Sequence, residues 1–558
     1  MRRISPFVVF MLTLCVGAPL WSQPPGPRSG PEFQVNTWTT GDQGYHSMGI
    51  NSSGAFVIAW TSGQDGDRDG VFARRFDSSG NPLGADFQVN SYTTGGQHYP
   101  AVGVGSDGGF VVAWLGEGPG AFGMFVRRFD SSGAALDPQE FQADSGGLGG
   151  GYPSLAVDPT DGGFMVAWDE VDPAIHNEAV YARRFDSAGA ALDPSVFKVN
   201  EPTSRPNYGP MVSSGPSGGF LVVWIADVDD PNGGVPQVEA RRFESTGLSV
   251  DPTPIQVSTF PGVYKEFPTA GMDAAGGFVV AWDGPLPGHS GYETQILVRR
   301  FDSTGAPLDP VEFIASSGTT FPHALPSIGV GSTGDFVVAW DDYISGGSGN
   351  GYDFDVFARR FESSGAAIDA APFQVNTYTT DAQVVPKLGL AANGDFVVAW
   401  FSYEQDGDRG GIYAQRFSCS DQDGDGLCDD EDIVITQPVE GETLTCYSRG
   451  AVAPPPVVAW SPGNYDRFRV EISWDAGFAQ GSGIRSSSML REALNWQPSR
   501  GQWLKACRGA SPKLYLRVFG EDTEAGASDP FRSTYSNVVA VETITVVGPP
   551  ARKWMNER

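Results

Sequence analysis

The chain is predicted to be all-β, a seven-bladed β-propeller closed by its N-terminal strand, and three observations in its 558 residues predict it. A run close to Gly109-Phe110-Val111-Val112-Ala113-Trp114 recurs seven times, closing at Trp60, Trp114, Trp168, Trp224, Trp282, Trp340 and Trp400. An arginine-phenylalanine pair follows each run, closing at Phe76, Phe129, Phe185, Phe243, Phe301, Phe361 and Phe417. A third marker, Phe-Gln-Val-Asn or a variant, begins at Phe33, Phe87, Phe141, Phe197, Ile255, Phe313 and Phe373. Self-similarity at a fixed period marks a repeat array whose units bury their apolar faces on one another.

Each repeat divides into four short strands. In the second they are expected at Ala101 to Gly105, Phe110 to Trp114, Met124 to Phe129 and Glu140 to Ala143, separated by Asp-Gly and Asp-Ser-Ser-Gly turns. A composition of 73 Gly, 42 Pro, 35 Phe and 14 Trp suits turns and buried sheets better than helices. The ends of the array predict its closure. A fourth-strand marker at Phe33 precedes the first repeat, and none follows Phe417, so seven sets of four are complete only if Phe33 to Asn36 pairs with the last repeat. A propeller closes its ring in this way, whereas a linear solenoid wants polar caps.

Spacing separates scaffold from variable surface. The third marker lies 27 residues before the next Trp in every copy, and each Arg-Phe pair lies 11 or 12 residues before the next marker. Only the span from Trp to the arginines varies, from 13 residues after Trp114 to 19 after Trp340. Insertions of this kind map to loops on one face. The predicted working face carries Thr61 to Gly70, Leu115 to Gly123, Asp169 to Glu178, Ala226 to Pro236, Asp283 to Thr294, Asp341 to Phe354 and Phe401 to Gly411.

Residues 1–22 read as a secretory signal, with Arg2 and Arg3 before an apolar stretch from Phe7 to Val16 that is too short to span a bilayer. Its removal takes the net charge from −30 to −32. Such acidity argues against a nucleic-acid or anionic-lipid partner, which needs basic surface. With no transmembrane segment, a monomeric protein is expected outside the cytoplasm: secreted, at the cell surface or in the periplasm. Cys419, Cys428, Cys446 and Cys507 allow three pairings, and locality favours Cys419 with Cys428 and Cys446 with Cys507.

The pattern GGFVVAW, VFARRFDSSG, FQVNTYTTG resembles a propeller-like repeat of secreted and surface proteins of bacteria, over about 385 residues. The resemblance implies a fold and an extracellular life but no single activity. The chain departs from the sialidase Asp-box, because the distance from Asp107 to Trp114 is longer than that box allows. After the propeller (23–418), residues 419–432 resemble a thrombospondin type 3 calcium repeat. Residues 433–547 loosely resemble a fibronectin type III or immunoglobulin-like sandwich, and 548–558 read as a disordered tail.

The sharpest candidate site is the 419–432 segment. Calcium takes six to eight oxygens, and carboxylates at alternate positions with a glycine at the sixth let a short loop wrap one ion. Asp421, Asp423 and Asp425 would ligate through side chains, Leu427 through its carbonyl, and Asp429 directly or through water, with Asp432 closing the set. Asp65, Asp67 and Asp69 repeat the spacing in the first variable loop, where a hairpin calcium site and a plain polar turn read equally well. The recurrent arginines are expected to be structural, paired with the acid that follows them, such as Asp77 or Asp130, and the tryptophans to be core.

Catalytic signatures are scarce. The histidines fall at different registers of different repeats, and no nucleophile elbow, zinc helix or phosphate loop occurs. Asp341 with Asp342, or Asp169 with Glu170, could do acid-base work across the face. The expected function is therefore non-enzymatic binding or adhesion toward a glycan or an extracellular protein. Phe122, Tyr292, Tyr343, Tyr352 and Phe354 are the candidate contact aromatics, and Ca2+ is the expected cofactor. The alternatives are a polysaccharide-processing enzyme that uses face carboxylates and a structural envelope component.

Overall fold

The computed structural model describes residues 28–417, apart from 145–149, 202–204, 231–232, 261–263, 286–292, 317–321 and 345–352, and beyond them the backbone of strands between Ile435 and Val546. The chain divides into two compact units, Met1–Ser418 and Cys419–Arg558.

The first unit holds seven four-stranded antiparallel sheets. Blade 1 runs Gln43–Ile50, Phe56–Ser62, Gly70–Phe76 and Phe87–Gln88, in that order from the inside out. Blades 2 to 6 repeat it. Blade 7 supplies Gln383–Leu390, Phe396–Tyr403 and Gly410–Phe417 and takes its outer strand from Phe33–Gln34, with Phe33 opposite Ala414 and Gln34 opposite Tyr413. Each first strand lies against the first strands of both neighbours, and the last against the first, so the ring is closed around its axis. The predicted seven blades and their closure are what the chain forms.

Packing explains the repeat markers. The seven tryptophans are all buried, each among apolar residues of its own blade and the one before it: Trp60 packs with Val397, Ala399, Ile412 and Ala414 of blade 7. Within a blade the Phe of the second strand stacks on the Phe closing the third, as Phe110 does on Phe129 at 4.9 Å and Phe396 on Phe417 at 4.7 Å. Such pairs add to the area that the rings already bury.

Polar ladders then lock each blade to the next. The residue after each Phe-Gln-Val accepts a backbone N–H of the third strand, as Asn90 does from Val71 (2.9 Å), Asn200 from Val180 (2.9 Å) and Asn36 from Ile412 (2.8 Å). The first arginine of each pair reaches a carbonyl of the preceding blade's outer strand: Arg127 donates to Val89 (2.7 Å) and Arg299 to Val257 (2.7 Å). The second arginine reaches the turn of the following blade, as in Arg128 to Ser187 (2.6 Å), and Arg416 of blade 7 reaches Ser79 of blade 1 (2.6 Å).

The expected acid partner of these arginines is corrected. Arg128 pairs with Asp137, nine residues on, and Arg242 with Asp251, while Asp130 accepts the backbone N–H groups of Ser132 and Ala134 in its own turn. An Asp immediately after the strand is turned into the tight loop and cannot reach back along the strand edge.

First strands also begin earlier than expected. In blade 2 the strand runs Gln97–Val104, starting ahead of Pro100, with a register shift between His98 and Ala101. The bulge absorbs the proline, which has no N–H to give a ladder. The same shift occurs at a proline in blades 4, 5, 6 and 7, and in blade 1 with His46 in the proline's place.

In the second unit, Ile435–Gln437, Val458–Trp460 and Asn495–Trp496 form one sheet. A larger sheet contains Thr443–Tyr447, Val539–Val546, Lys513–Glu521, Arg467–Ser473 and Gly483–Arg485. Its first two strands run parallel and the others antiparallel. The calcium-segment residues, Asp421 to Asp432, and Cys419, Cys428 and Cys507 lie outside the described residues, while Cys446 falls in the strand Thr443–Tyr447. Among the described residues no helix is long and apolar enough to cross a membrane.

Candidate functional site

The bulges define the site. First strands start at the face where second strands end, since Gly44 pairs with Thr61 and Gln43 with Ser62. This is the face whose loops vary. At the bulge the backbone turns left-handed at Tyr45 (φ 51°), Tyr99 (φ 56°), Phe267 (φ 46°), Leu325 (φ 53°) and Val385 (φ 59°), with Gly209 (φ 62°) at the matching place in blade 4. For side chains of this bulk that conformation costs roughly 1–2 kcal/mol each. The ring thus stores strain at one level, and the bulge re-aims the residue that carries it.

Two of the re-aimed positions, Tyr45 and Tyr99, make an aromatic strip with Tyr152, which precedes Pro153 in blade 3, where the strand pair has no register shift. Tyr45 meets Tyr99 edge-on at 4.6 Å, and Tyr99 meets Tyr152 edge-on at 4.4 Å, across blades 1, 2 and 3. Tyr45 is 60% and Tyr152 61% exposed. Burial and the two flanking phenols push the Tyr99 hydroxyl up to about 12, so it stays a proton donor at any ordinary pH. Phe267, 49% exposed, holds the same register on blade 5.

Carboxyls lie beneath this level. In three blades the residue after the tryptophan bonds to the next blade at the level of the bulges: Thr61 Oγ1 accepts the N–H of Tyr99 (3.3 Å), Asp169 that of Gly209 (3.3 Å) and Asp341 that of Val385 (2.9 Å). Burial raises Asp169 to about 6, with Glu178 adding to it against the Gly209 N–H. A Cβ on Gly151, the neighbour of Tyr152, would collide with both Asp169 carboxylate oxygens, so the glycine leaves room for this acid directly beside the strip. Asp283 is 3% exposed and sits opposite Glu266 across the strand pair. Its Oδ1 has no hydrogen-bond partner among the described residues, and burial first, then Glu266, raises its pKa well above the carboxylate range. Burial also raises Asp341, against the Val385 N–H and Lys387, while Asp283 and Asp342 push the same way as burial. His46 stays neutral: burial, then Lys387, lowers it to about 3, and its Nε2 donates to the Ala399 carbonyl (3.3 Å).

The sequence-predicted residues are spread over this face. Of the expected acid pairs, Asp341 belongs to the inner level, Asp342 pairs with His323 (3.1 Å), and Glu170 accepts the Trp168 indole N–H (3.2 Å). Phe122, 41% exposed, stands on blade 2 in the strand Phe122–Phe129 rather than in a loop. Tyr343 and Phe354 are register partners on blade 6 with ring centroids 5.7 Å apart, inside strands that extend into the expected loop. Phe122 on blade 2 and the Tyr343–Phe354 pair on blade 6 do not form one patch. Tyr292 and Tyr352 lie outside the described residues. Asp65 accepts the Asp67 N–H (3.2 Å), Asp67 accepts the Gly95 N–H (3.1 Å), and Asp69 lies 3.5 Å from His98. Among the described residues no three metal-ligating side chains converge.

Tyr45, Tyr99 and Tyr152 went unrecognised in the sequence, because they sit in the fixed part of the repeat, while Asp283 entered only as the first residue of a variable span. Aligning the repeats on the residue before the recurrent proline, at Tyr99 and Tyr152, carries the signal that finds them.

No family model matches the sequence, and no curated protein matches it. Among solved structures, similarity extends to a protein of unknown function from Dyadobacter fermentans, at 13% identity and TM-score 0.42 over 70% of this chain and 99% of that one. It extends also to an ulvan lyase of a new polysaccharide lyase family (10% identity, TM-score 0.43, 70% and 94% covered). A third is an α-L-arabinofuranosidase from Fusarium graminearum bound to an iminosugar inhibitor (12% identity, TM-score 0.39, 58% and 94% covered). These likenesses do not reach the chemistry of the site.

Proposed function

We propose that this protein is an extracellular polysaccharide-processing protein, which lays a glycan chain on the Tyr45, Tyr99 and Tyr152 strip and acts on it with the carboxyls beneath. The observation that carries the reading is the adjacency of the strip to Asp169. Exposed aromatic faces stack on sugar rings, and a carboxyl whose pKa stands near 6 can hold a proton for a leaving oxygen and still release it. Asp169, Asp283 and Asp341 are the candidate proton-bearing groups, and Tyr99 orients sugar hydroxyls. This reading moves the enzymatic alternative ahead of binding alone, because the carboxyl of Asp169 stands directly beside the aromatic strip.

In this proposal Phe122, Tyr343 and Phe354 are outer contacts on the rim. Calcium at Asp421 to Asp432, and at Asp65, Asp67 and Asp69, serves to stiffen loops rather than to do chemistry. The test is incubation of the purified chain with a polysaccharide panel, following both retention and the release of shortened sugars. Cleavage lost in Asp169→Asn while binding persists, and binding lost in Tyr99→Ala with Tyr152→Ala, supports the reading. Retention without cleavage at any pH between about 4 and 8 reduces it to a lectin, and neither outcome on any glycan sinks it.

A further inference from the structure

From the accounting of charge on this face we infer that the site takes polysaccharide chains carrying no uronate or sulfate groups. The inference rests on the reading of the face as a glycan site and narrows it to a substrate class.

Recognition of an anionic chain needs cations whose charge is not already spent, above all arginines free to make bidentate contacts. The propeller between Arg28 and Phe417 contains 20 Lys and Arg residues. Fourteen are Arg28 and the paired arginines of the repeats, which hold outer-strand carbonyls, turns and the Asp137-type acids of the scaffold. The other six are Arg68, Lys198, Arg205, Lys265, Lys387 and Arg409. All six belong to the bulge face, and each has an acid or backbone carbonyls beside it, although the Arg68 and Arg409 pairs are exposed.

Lys265 is 1% exposed and donates to the carbonyls of Pro236 (2.9 Å) and Phe260 (2.8 Å). Lys387 is buried beside Asp341, and Lys198 is bonded to Asp172. Arg205 lies beside Asp227, Arg68 is 3.7 Å from Glu117, and Arg409 is 3.2 Å from Asp42. The loop segments of the propeller outside the described residues contain no Lys or Arg. Among the Lys and Arg residues of the propeller none therefore stands at the mouth without a neighbouring acid or carbonyl, and a chain of carboxylates or sulfates would have to compete with those acids.

Acids, by contrast, are in excess there. Asp283, buried with an unpartnered Oδ1 opposite Glu266, is an independent sign that a ligand group belongs at this level, since a buried oxygen without a partner is costly. A sugar hydroxyl satisfies it by donating a hydrogen bond. A uronate or sulfate oxygen has no proton to donate to that oxygen, and its charge would be brought into a buried, acid-lined place beside Glu266 that holds no cation for it.

The test titrates the full chain with uncharged arabinan, xylan and β-1,3-glucan and with anionic alginate, ulvan and heparin, at about 20 mM and about 500 mM NaCl, where the Debye length is about 20 Å and about 4 Å. The expected result is binding of at least one uncharged chain, changing less than about threefold between the two salts, with every anionic chain at least about tenfold weaker at low salt. Tighter binding of an anionic chain than of any uncharged one at low salt overturns the inference and leaves the glycan site standing. Binding of neither class overturns both. Asp283→Leu, which removes the orphaned oxygen, is expected to weaken the uncharged ligand at least about fivefold with an unchanged melting temperature; unchanged affinity in a folded variant removes Asp283 from the site.

Discussion

Arg28 hydrogen-bonds the carbonyl of Val375, 3.3 Å away and 347 residues later in the chain. In other blades this carbonyl belongs to the first arginine of the next blade's pair, but blade 7 has Gln415 there, whose amide instead donates to Gly30 (3.0 Å). Beside it, Glu32 accepts the Thr377 N–H (2.6 Å), as Glu140 accepts that of Ser91 (3.0 Å) in an ordinary blade. The N-terminal segment therefore brings a strand together with the inter-blade contacts that blade 7 lacks.

A chain that starts at Arg28 is expected to melt as the longer one does, while one that starts after Asn36 loses the outer strand and the burial of Val35 and Phe33. Apolar burial alone accounts for roughly 3–5 kcal/mol of that loss. Arg28→Ala is a milder version, costing about 1–2 kcal/mol for a hydrogen bond from a charged donor. Thermal unfolding of the three chains checks the ranking, and equal melting temperatures for all would show that the seam bears no load.

Arg242 should be far less replaceable than Arg68. Arg242 and Asp251 are both nearly buried, make two side-chain hydrogen bonds (2.6 and 3.1 Å), and tie blade 4 to the Ser303 carbonyl of blade 5 (2.6 Å). Arg242→Ala strands Asp251 and is expected to cost about 3–5 kcal/mol in chemical denaturation. Arg68→Ala, at an exposed pair, should move stability by less than about 0.5 kcal/mol.

Asp169 makes a signed pH prediction. Its folded pKa of about 6 stands above the ordinary 3.8, so the folded state binds its proton more tightly than the unfolded chain does. Its contribution favours folding at acid pH, below the unfolded value, and is lost as pH rises through the folded value. Asp169→Asn keeps an acceptor for the Gly209 N–H and removes the penalty. The variant should match the parent near pH 4 and exceed it by on the order of 2–3 kcal/mol at pH 7, as read by denaturant midpoints at both values.

Gly151→Ala isolates the geometry of the same acid. The added methyl displaces the Asp169 carboxylate without touching its chemistry. Glycan cleavage should fall at least about tenfold while retention on the tyrosine strip changes little; a parallel fall in both would mean that the methyl disturbs the strip as a whole.

Trp60 to Trp400 and the Phe markers were legible because close packing between blades fixes their register, and the unmatched marker at Phe33 made the closure legible as well. The site was harder to read. Variable loops drew attention to Tyr343 and Phe122, whereas Tyr45 and Tyr99 of the strip lie at bulges, and Pro100 beside Tyr99 reads as the end of a strand although it sits inside one. Arg128 and Asp137 show the same limit, since a contact nine residues away depends on how the strand edge turns back on itself.

The seam also orders events in time. Blades 1 to 6 can each be completed from neighbouring residues as the chain grows, but Phe33–Gln34, made before any blade, must wait for Gly410–Phe417. Closing a loop of that length costs on the order of 5 kcal/mol in chain entropy, repaid only once the whole ring stands. Until then blade 7 offers an open strand edge, the kind that captures a neighbouring chain. Joining the propeller's earliest strand to its latest thus makes closure the late, collision-sensitive step of its folding, and dilution or slow synthesis should favour the closed ring over aggregates.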